Sequence, residues 1–370
     1  MAVSEAFSAS YNEARNKFLG AAASAQAPVK SWRHPLPGVD GEELALDVAV
    51  DGPANAGKVL LVSSGCHGVE GYCGSGVQVH ALRDAGFREH CAKSGVAVVY
   101  LHAINPFGFS HTRRVTQENV DLNRNFQDFS KPLPRNPAYR GLHHLLLPKQ
   151  WPPGPVNTAG IFWYIATKGM KSAQAALSGG QYEVEDGLFF GGKAPTWSNT
   201  TLRQVLRDFG AGAKQVAWID LHSGLGASGA SERTFAMKAS DTEGQARARA
   251  WWEGGGATPL MSLGDGSSVS SALSGLMWPA IYDECPQSEI TMMAMEFGTQ
   301  SKMQVLKALR GDHWVYQHPE AKPELVAQVK KTLRDAFYVD TPEWKEKIVT
   351  QAMQAIGQGV AGLGGQGQPD

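Results

Sequence analysis

Apolar positions recur at two periods along this 370-residue chain, and the switches between them mark its elements. Phe7, Tyr11, Ala14 and Phe18 fall at helical spacing within residues 5–23, which predicts an amphipathic helix packed on the body. Residues 44–50 alternate like an edge strand, whereas 58–63 and 96–102 are short unbroken apolar runs of the kind buried on both faces of a parallel sheet. A helical pattern over 70–86 joins those two runs, giving a strand–helix–strand unit. Further along, a short helix near 200–209 precedes a strand at 215–221, and a helix at 242–253 stops at Gly254-Gly255-Gly256. A strand at 290–297 leads into three helical patterns around 302–315, 321–337 and 342–356. Residues 127–200 are broken by Pro and Gly, as at Trp151-Pro152-Pro153-Gly154-Pro155, and read as loops and short helices covering a site. The Gly- and Gln-rich stretch 357–370 reads as a frayed tail. One α/β domain over 1–356 is expected, with 127–200 as an irregular covering insertion and 357–370 as a flexible tail.

The formal net charge of −1 leaves no electrostatic footprint for nucleic acid or for an anionic membrane. No apolar run is long enough to span a bilayer, and the first residues lack the basic start and apolar core of a signal peptide. Cys66, Cys73, Cys91 and Cys285 follow neither a metal-type spacing nor a disulfide framework. Reduced thiols and a cytoplasmic location are the expectation.

Candidate chemistry sits where the apolar runs end. His67 and Glu70 follow the run at 58–63, the strand-end position where open α/β sheets place their sites. A His and a Glu three residues apart are more often an ordinary loop pair; a third ligand from another strand end makes the pair informative. His222 closes the apolar run 216–221 and is that candidate, because catalytic zinc takes three protein ligands and keeps one position open. Glu296 follows the apolar run 291–295, where an unpaired carboxylate is costly to bury; a structural Arg could satisfy it, and in a zinc site it suits a general base acting on water. Arg113, Arg114 and Arg124 cluster around Asn123; their forks match carboxylates, unless they merely pair with Asp121, Glu118 or Asp128 on a solvated loop. Cys66 as a nucleophile would need an oriented base, and neither Ser64 nor Ser223 lies in a Gly-x-Ser-x-Gly elbow.

Taken in chain order, His67-x-x-Glu70, Arg114, Asn123-Arg124, His222 and Glu296 resemble the pattern of the zinc carboxypeptidase superfamily, which includes the aspartoacylase and succinylglutamate desuccinylase branches. Tyr11-Asn12-Glu13-Ala14-Arg15, Ser64-Gly65-Cys66-His67-Gly68-Val69-Glu70-Gly71, Asn105-Pro106-Phe107-Gly108-Phe109 and Ala308-Leu309-Arg310 resemble a branch known only as a domain of unknown function (DUF2817), from about residue 5 to about 340. The resemblance implies a central mixed, mostly parallel sheet of about eight strands flanked by helices. It also implies one Zn2+ per chain held by His67, Glu70 and His222, with Asp121 orienting the first of these histidines. Arg114 would polarise the scissile carbonyl, Asn123 and Arg124 would hold a terminal carboxylate, and Glu296 would serve as general base and acid. The implied substrate is a small peptide or an N-acyl amino acid cut at an amide beside a free carboxylate. A carboxypeptidase-type peptidase is the leading reading. A deacylase of small N-acyl amino acids is the alternative, and a catalytically silent binding protein on the same scaffold is the third. Tyr282 lies near where classical members carry a lid tyrosine, but at a shorter spacing, and its role is left unassigned.

Overall fold

Among the described residues eight strands form one sheet: β1 (Val29–Arg33), β2 (Ala45–Asp51), β3 (Lys58–Ser64), β4 (Ala97–His102), β5 (Gln215–Gly224), β6 (Ser231–Phe235), β7 (Leu260–Met261) and β8 (Glu289–Gly298), in the order β1-β2-β4-β3-β5-β8-β6-β7. The structure is a computed structural model and describes residues 2–53, 55–253, 259–262 and 273–365. The central strands β4, β3, β5 and β8 are mutually parallel, while β2 joins β4 and β6 joins β8 in antiparallel fashion. After β3 the chain moves to one side to form β4 and later to the other side to form β5. The strand order therefore reverses at β3/β5, and a crevice at such a reversal, beyond the carboxyl ends of the strands, is where open α/β sheets bind ligands.

The strands alternate between two cores, one on each face. Leu60, Val62, Ala217, Ile219, Leu221, Met293, Met295 and Phe297 pack into one. Val59, Leu61, Val216, Trp218, Ile290, Met292 and Ala294 pack into the other. This two-residue period places Ser63, Asp220, His222 and Glu296 on the second face, because each continues its odd or even series. Helices Tyr11–Ser24, Gly71–Arg83 and Pro342–Gly364 cover the first face. Among the described residues no helix is long and apolar enough to cross a membrane.

Several expectations are corrected. The alternating segment 44–50 is not the edge: β1, exposed along most of its length and without an apolar run, lies outside it. The short strands β6 and β7 and the helix Ala85–Lys93 carry too few apolar repeats to be seen in the sequence. The segment 127–200 holds short helices, as expected, at Pro137–Leu146, Pro155–Lys168 and Met170–Ser178. Two of these begin with Pro in the first turn, where the missing N–H costs nothing. The tail boundary at Gly357 falls inside the last helix, which continues to Gly364 because Gly359, Val360 and Leu363 are buried against the body. The expected stop at Gly254-Gly255-Gly256 lies outside the described residues.

Helix Gly71–Arg83 rests so closely on β3 that a Cβ on Gly74 would lie 2.6 Å from the Ser64 Cβ, whereas one on Gly20, in an outer helix, would meet nothing within 4 Å. Gly74→Ala is expected to destabilise the protein by about 1–3 kcal/mol through overpacking. Gly20→Ala is expected to be neutral or to stabilise by up to about 1 kcal/mol. Urea denaturation of the two variants tests the difference, and equal behaviour would contradict it.

Candidate metal centre

The turn after β3 builds the first part of the site. Gly65 sits at φ +69, a left-handed conformation that glycine adopts without strain. A Cβ on Gly68 would lie 2.1 Å from the carbonyl carbon of Gly108, so only glycine lets these segments touch. The N–H groups of Gly68 and Val69 then donate to the carbonyls of Arg114 and Arg113 at 3.1 and 2.8 Å, tying the His67–Glu70 turn to the arginine segment. His222 lies within β5 rather than after it, and its register partner on β8 is Glu296.

His67, Glu70 and His222 converge. One donor atom from each lies within 4.8 Å of the others, and all three residues are buried. His67 Nδ1 stands 2.8 Å from Glu70 Oε1, and His222 Nδ1 stands 2.9 Å from Glu70 Oε2. A carboxylate backs each ring on its other edge. Asp220 Oδ2 is hydrogen-bonded to His222 Nε2, and Asp121 Oδ1 lies 3.3 Å from His67 Nε2. Arg114 Nη2 also donates to His67 Nε2, at 2.8 Å, and Arg114 Nη1 donates to Glu70 Oε1 at 3.1 Å. Asp220 is itself held by Ser63 Oγ at 2.6 Å and Trp278 Nε1 at 2.8 Å; Asp121 is held by Arg114 Nε at 3.0 Å and the Asn123 N–H at 3.0 Å.

This donor set fits a divalent cation such as zinc. Two imidazoles and one carboxylate are a familiar catalytic ligand group, and carboxylates behind the rings are the usual means of fixing their orientation. The charge agrees. Four carboxylates (Glu70, Asp121, Asp220 and Glu296) face two guanidiniums (Arg114 and Arg124), an excess of two negative charges if the imidazoles are neutral. Burial works against ionised Glu70, but His67 and His222 outweigh it and hold its pKa well below the usual carboxylate range. Burial likewise opposes a charged His222, yet Asp220 and Glu70 push its pKa well above the usual imidazole value. Burial and the charge of Glu70 push the Glu296 carboxyl up to about 8; a cation held at Glu70 would offset the second of these causes.

The remaining expected residues divide. Glu296 is partly open to the cavity and accepts the Leu225 N–H through Oε1 at 2.9 Å. Arg124 donates to the carbonyl oxygens of Ser178, at 2.7 and 3.2 Å, and of Asn123, at 2.8 Å; Asp121 lies 4.0 Å away. Its guanidinium is thus hydrogen-bonded to neutral acceptors; burial lowers its pKa, against the opposing charge of Asp121, and Arg114 lowers it further. Asn123 accepts the Met277 N–H at 2.9 Å and, with Arg114 and Arg124, lines the cavity. Arg113 does not join them. Its side chain turns away to Asp312 at 3.0 Å and Asn119 at 3.1 Å, beneath the Tyr316 ring. Tyr282 donates to Asp241 and is not part of the cavity wall. Cys66 is buried, and burial followed by Asp220 and Asp121 drives its thiol well above the ordinary value, so no thiolate nucleophile stands there. The Ser64 hydroxyl donates to Gln78 and that of Ser223 to the Phe337 carbonyl, neither to a catalytic base.

Residues 7–351 match the model of a family described as "Protein of unknown function (DUF2817)". The chain belongs to the DUF2817 family. No curated protein matches it. Among solved structures, this DUF2817 chain is similar to carboxypeptidase A from Helicoverpa armigera at 13% identity, with a TM-score of 0.54 over 96% of this chain and 74% of the other. It is also similar to bovine thrombin-activatable fibrinolysis inhibitor at 13% identity, with a TM-score of 0.52 over 96% of this chain and 97% of the other. At such identity the likeness is one of fold: the carboxypeptidase-like mixed sheet flanked by helices is shared.

Two residues of this DUF2817 site had no role assigned from the sequence. Asp220 had a signal, its position two residues before His222 on the same strand face. Trp278 had none, because the segment that brings its indole to Asp220 has no regular pattern.

The Arg113–Asp312 pair, with Lys330 2.6 Å from Asp312, anchors the arginine segment to helix Lys302–Gln317. Burial raises the Asp312 carboxyl, but Lys330 and Arg113 outweigh it and bring its pKa down to about 2. A depressed carboxyl stabilises the fold above its unfolded value and loses that contribution as pH falls through the folded one. A loss on the order of 2 kcal/mol is therefore expected between about pH 4 and pH 2. Asp312→Asn should flatten that acid limb in stability measured against pH; an unchanged limb would contradict the assignment.

Proposed function

We propose that this chain is a zinc-dependent hydrolase of amides adjacent to a free carboxylate, of the metallocarboxypeptidase type. The observation that carries this reading is the convergence of His67, Glu70 and His222 on one buried point beside a second carboxylate, Glu296, in the same cavity. Zinc held by the three residues would polarise the scissile carbonyl as a Lewis acid and make water a better nucleophile near neutral pH.

The protein residues would do the rest. Glu296 accepts a proton from water at its carboxylate and delivers it to the nitrogen of the leaving amine. Arg114, its guanidinium fixed by Glu70 and Asp121, stabilises the oxyanion that develops on the carbonyl. Asn123 and Arg124 bind the substrate carboxylate, for which Arg124 supplies a positive charge held mainly by backbone carbonyls. Asp121 and Asp220 keep the two imidazoles in orientation. The whole acts as a single domain whose 127–200 segment walls the site. The deacylase reading uses the same groups, and the apolar walls of the cavity favour it.

A panel of peptides and N-acyl amino acids with zinc-loaded protein tests the proposal. The wild type should hold about one zinc per chain and turn over members with a free carboxylate. Glu296→Gln should keep the metal and lose turnover by about 10²- to 10⁴-fold. Full turnover without zinc, or unchanged turnover in the variant, would contradict it.

A further inference from the structure

The cavity above the site has a volume of about 230 Å³, and its two ends differ in chemistry. One end holds the metal-ligand candidates with Arg114, Asn123, Arg124 and Glu296. The walls beyond are mostly hydrocarbon, with Leu142 and Leu146, Ile161 and Ile165, Leu306 and Leu309 from three separate helices, and Tyr164, Gln174, Ser178 and Thr234 as the polar exceptions. The apolar character reaches the surface, because Met170 and Met303 line the cavity and are 60% and 46% exposed. On the helix of Ile161 and Ile165, Pro155–Lys168, Phe162 and Trp163 are exposed at 60% and 72%. Among the described residues the charged side chain on the walls away from the site is Lys302, which is exposed.

We propose that the substrate is an amphiphile: an amide with a free carboxylate on its amine side and a long hydrocarbon chain as its acyl group, as in an N-long-acyl amino acid. The inference takes its chemistry from the hydrolase reading and its binding from the walls alone. A peptide carries an N–H and a C=O at every residue, and these walls present few polar partners, so burying a peptide there would leave polar groups unsatisfied. A hydrocarbon has no such need. A long unbranched chain is common as an acyl group and absent among encoded side chains. Two flexible methionines at the mouth suit a ligand of variable length.

The test uses the zinc-loaded full chain and one amino acid acylated with chains from acetyl to palmitoyl, kept below micelle-forming concentrations. The kcat/KM should rise by up to about fourfold per added methylene while the chain lies within the walls, at about 0.8 kcal/mol per buried CH2. Saturated fatty acids of the same lengths, titrated calorimetrically into Glu296→Gln, should bind with affinity rising by a similar factor. Ala173→Trp, which fills a buried wall position, should move the optimum to shorter chains. Met303→Glu, at an exposed position where folding is not at stake, should weaken binding of the longest chains. A flat or falling length dependence in active enzyme, or faster turnover of peptides ending in Phe or Leu, would overturn the inference and leave the hydrolase reading intact. Length-dependent fatty-acid binding with no turnover of any amide would keep the hydrocarbon-binding wall but overturn the hydrolase reading and, with it, the amide as substrate.

Discussion

The site depends on buried carboxylates that hold imidazoles by their outer edges. Asp220, fixed by Ser63 and Trp278, grips His222 at Nε2, and Asp121, fixed by Arg114 and the Asn123 backbone, stands behind His67. Both rings therefore turn Nδ1 toward Glu70. Each carboxylate would cost several kcal/mol if buried without partners. The arrangement persists because donors surround every one of them, and the excess negative charge that remains has the magnitude of a divalent cation. The hydrophobic faces of the sheet provide the rigid frame: β3, β5 and β8 deliver their polar residues at one crevice because their apolar residues fix the register.

Much of this was legible in the sequence. The runs at 58–63, 96–102, 215–221 and 290–297 are buried on both faces, so their apolar character is continuous and unmistakable, and they became the four central parallel strands. His67, Glu70, His222 and Glu296 stand at the ends of three of them, which made the cluster visible before any coordinates. The edges were not legible. β1 has little to bury, and β6 and β7 are too short to show a period. Within the site, two adjacent arginines look alike in sequence, yet Arg114 turns to Glu70 while Arg113 turns to Asp312, a residue 199 positions away. Contacts at that separation belong to tertiary structure, and no local pattern announces them.

The covering segment shows a different limit. Its Pro and Gly residues suggested loops and short helices without placing them; several of those residues start or stop helices whose inner faces supply an apolar wall. The family likeness fixes the sheet and says little about this wall. Specificity would then reside in a part of the chain with no pattern to read, built on a frame that is easy to read. The floor of the cavity concerns chemistry; the wall concerns what reaches it.

The central claim is that His67, Glu70 and His222 hold one divalent ion through the two Nδ1 atoms and the Glu70 carboxylate. Anomalous diffraction at the zinc edge, from crystals grown with zinc, addresses it directly. The account predicts a single strong peak among those three side chains, with Asp220 still bonded to His222 Nε2. Zinc bound elsewhere on the chain, or a cluster left empty in zinc-loaded crystals, would contradict it.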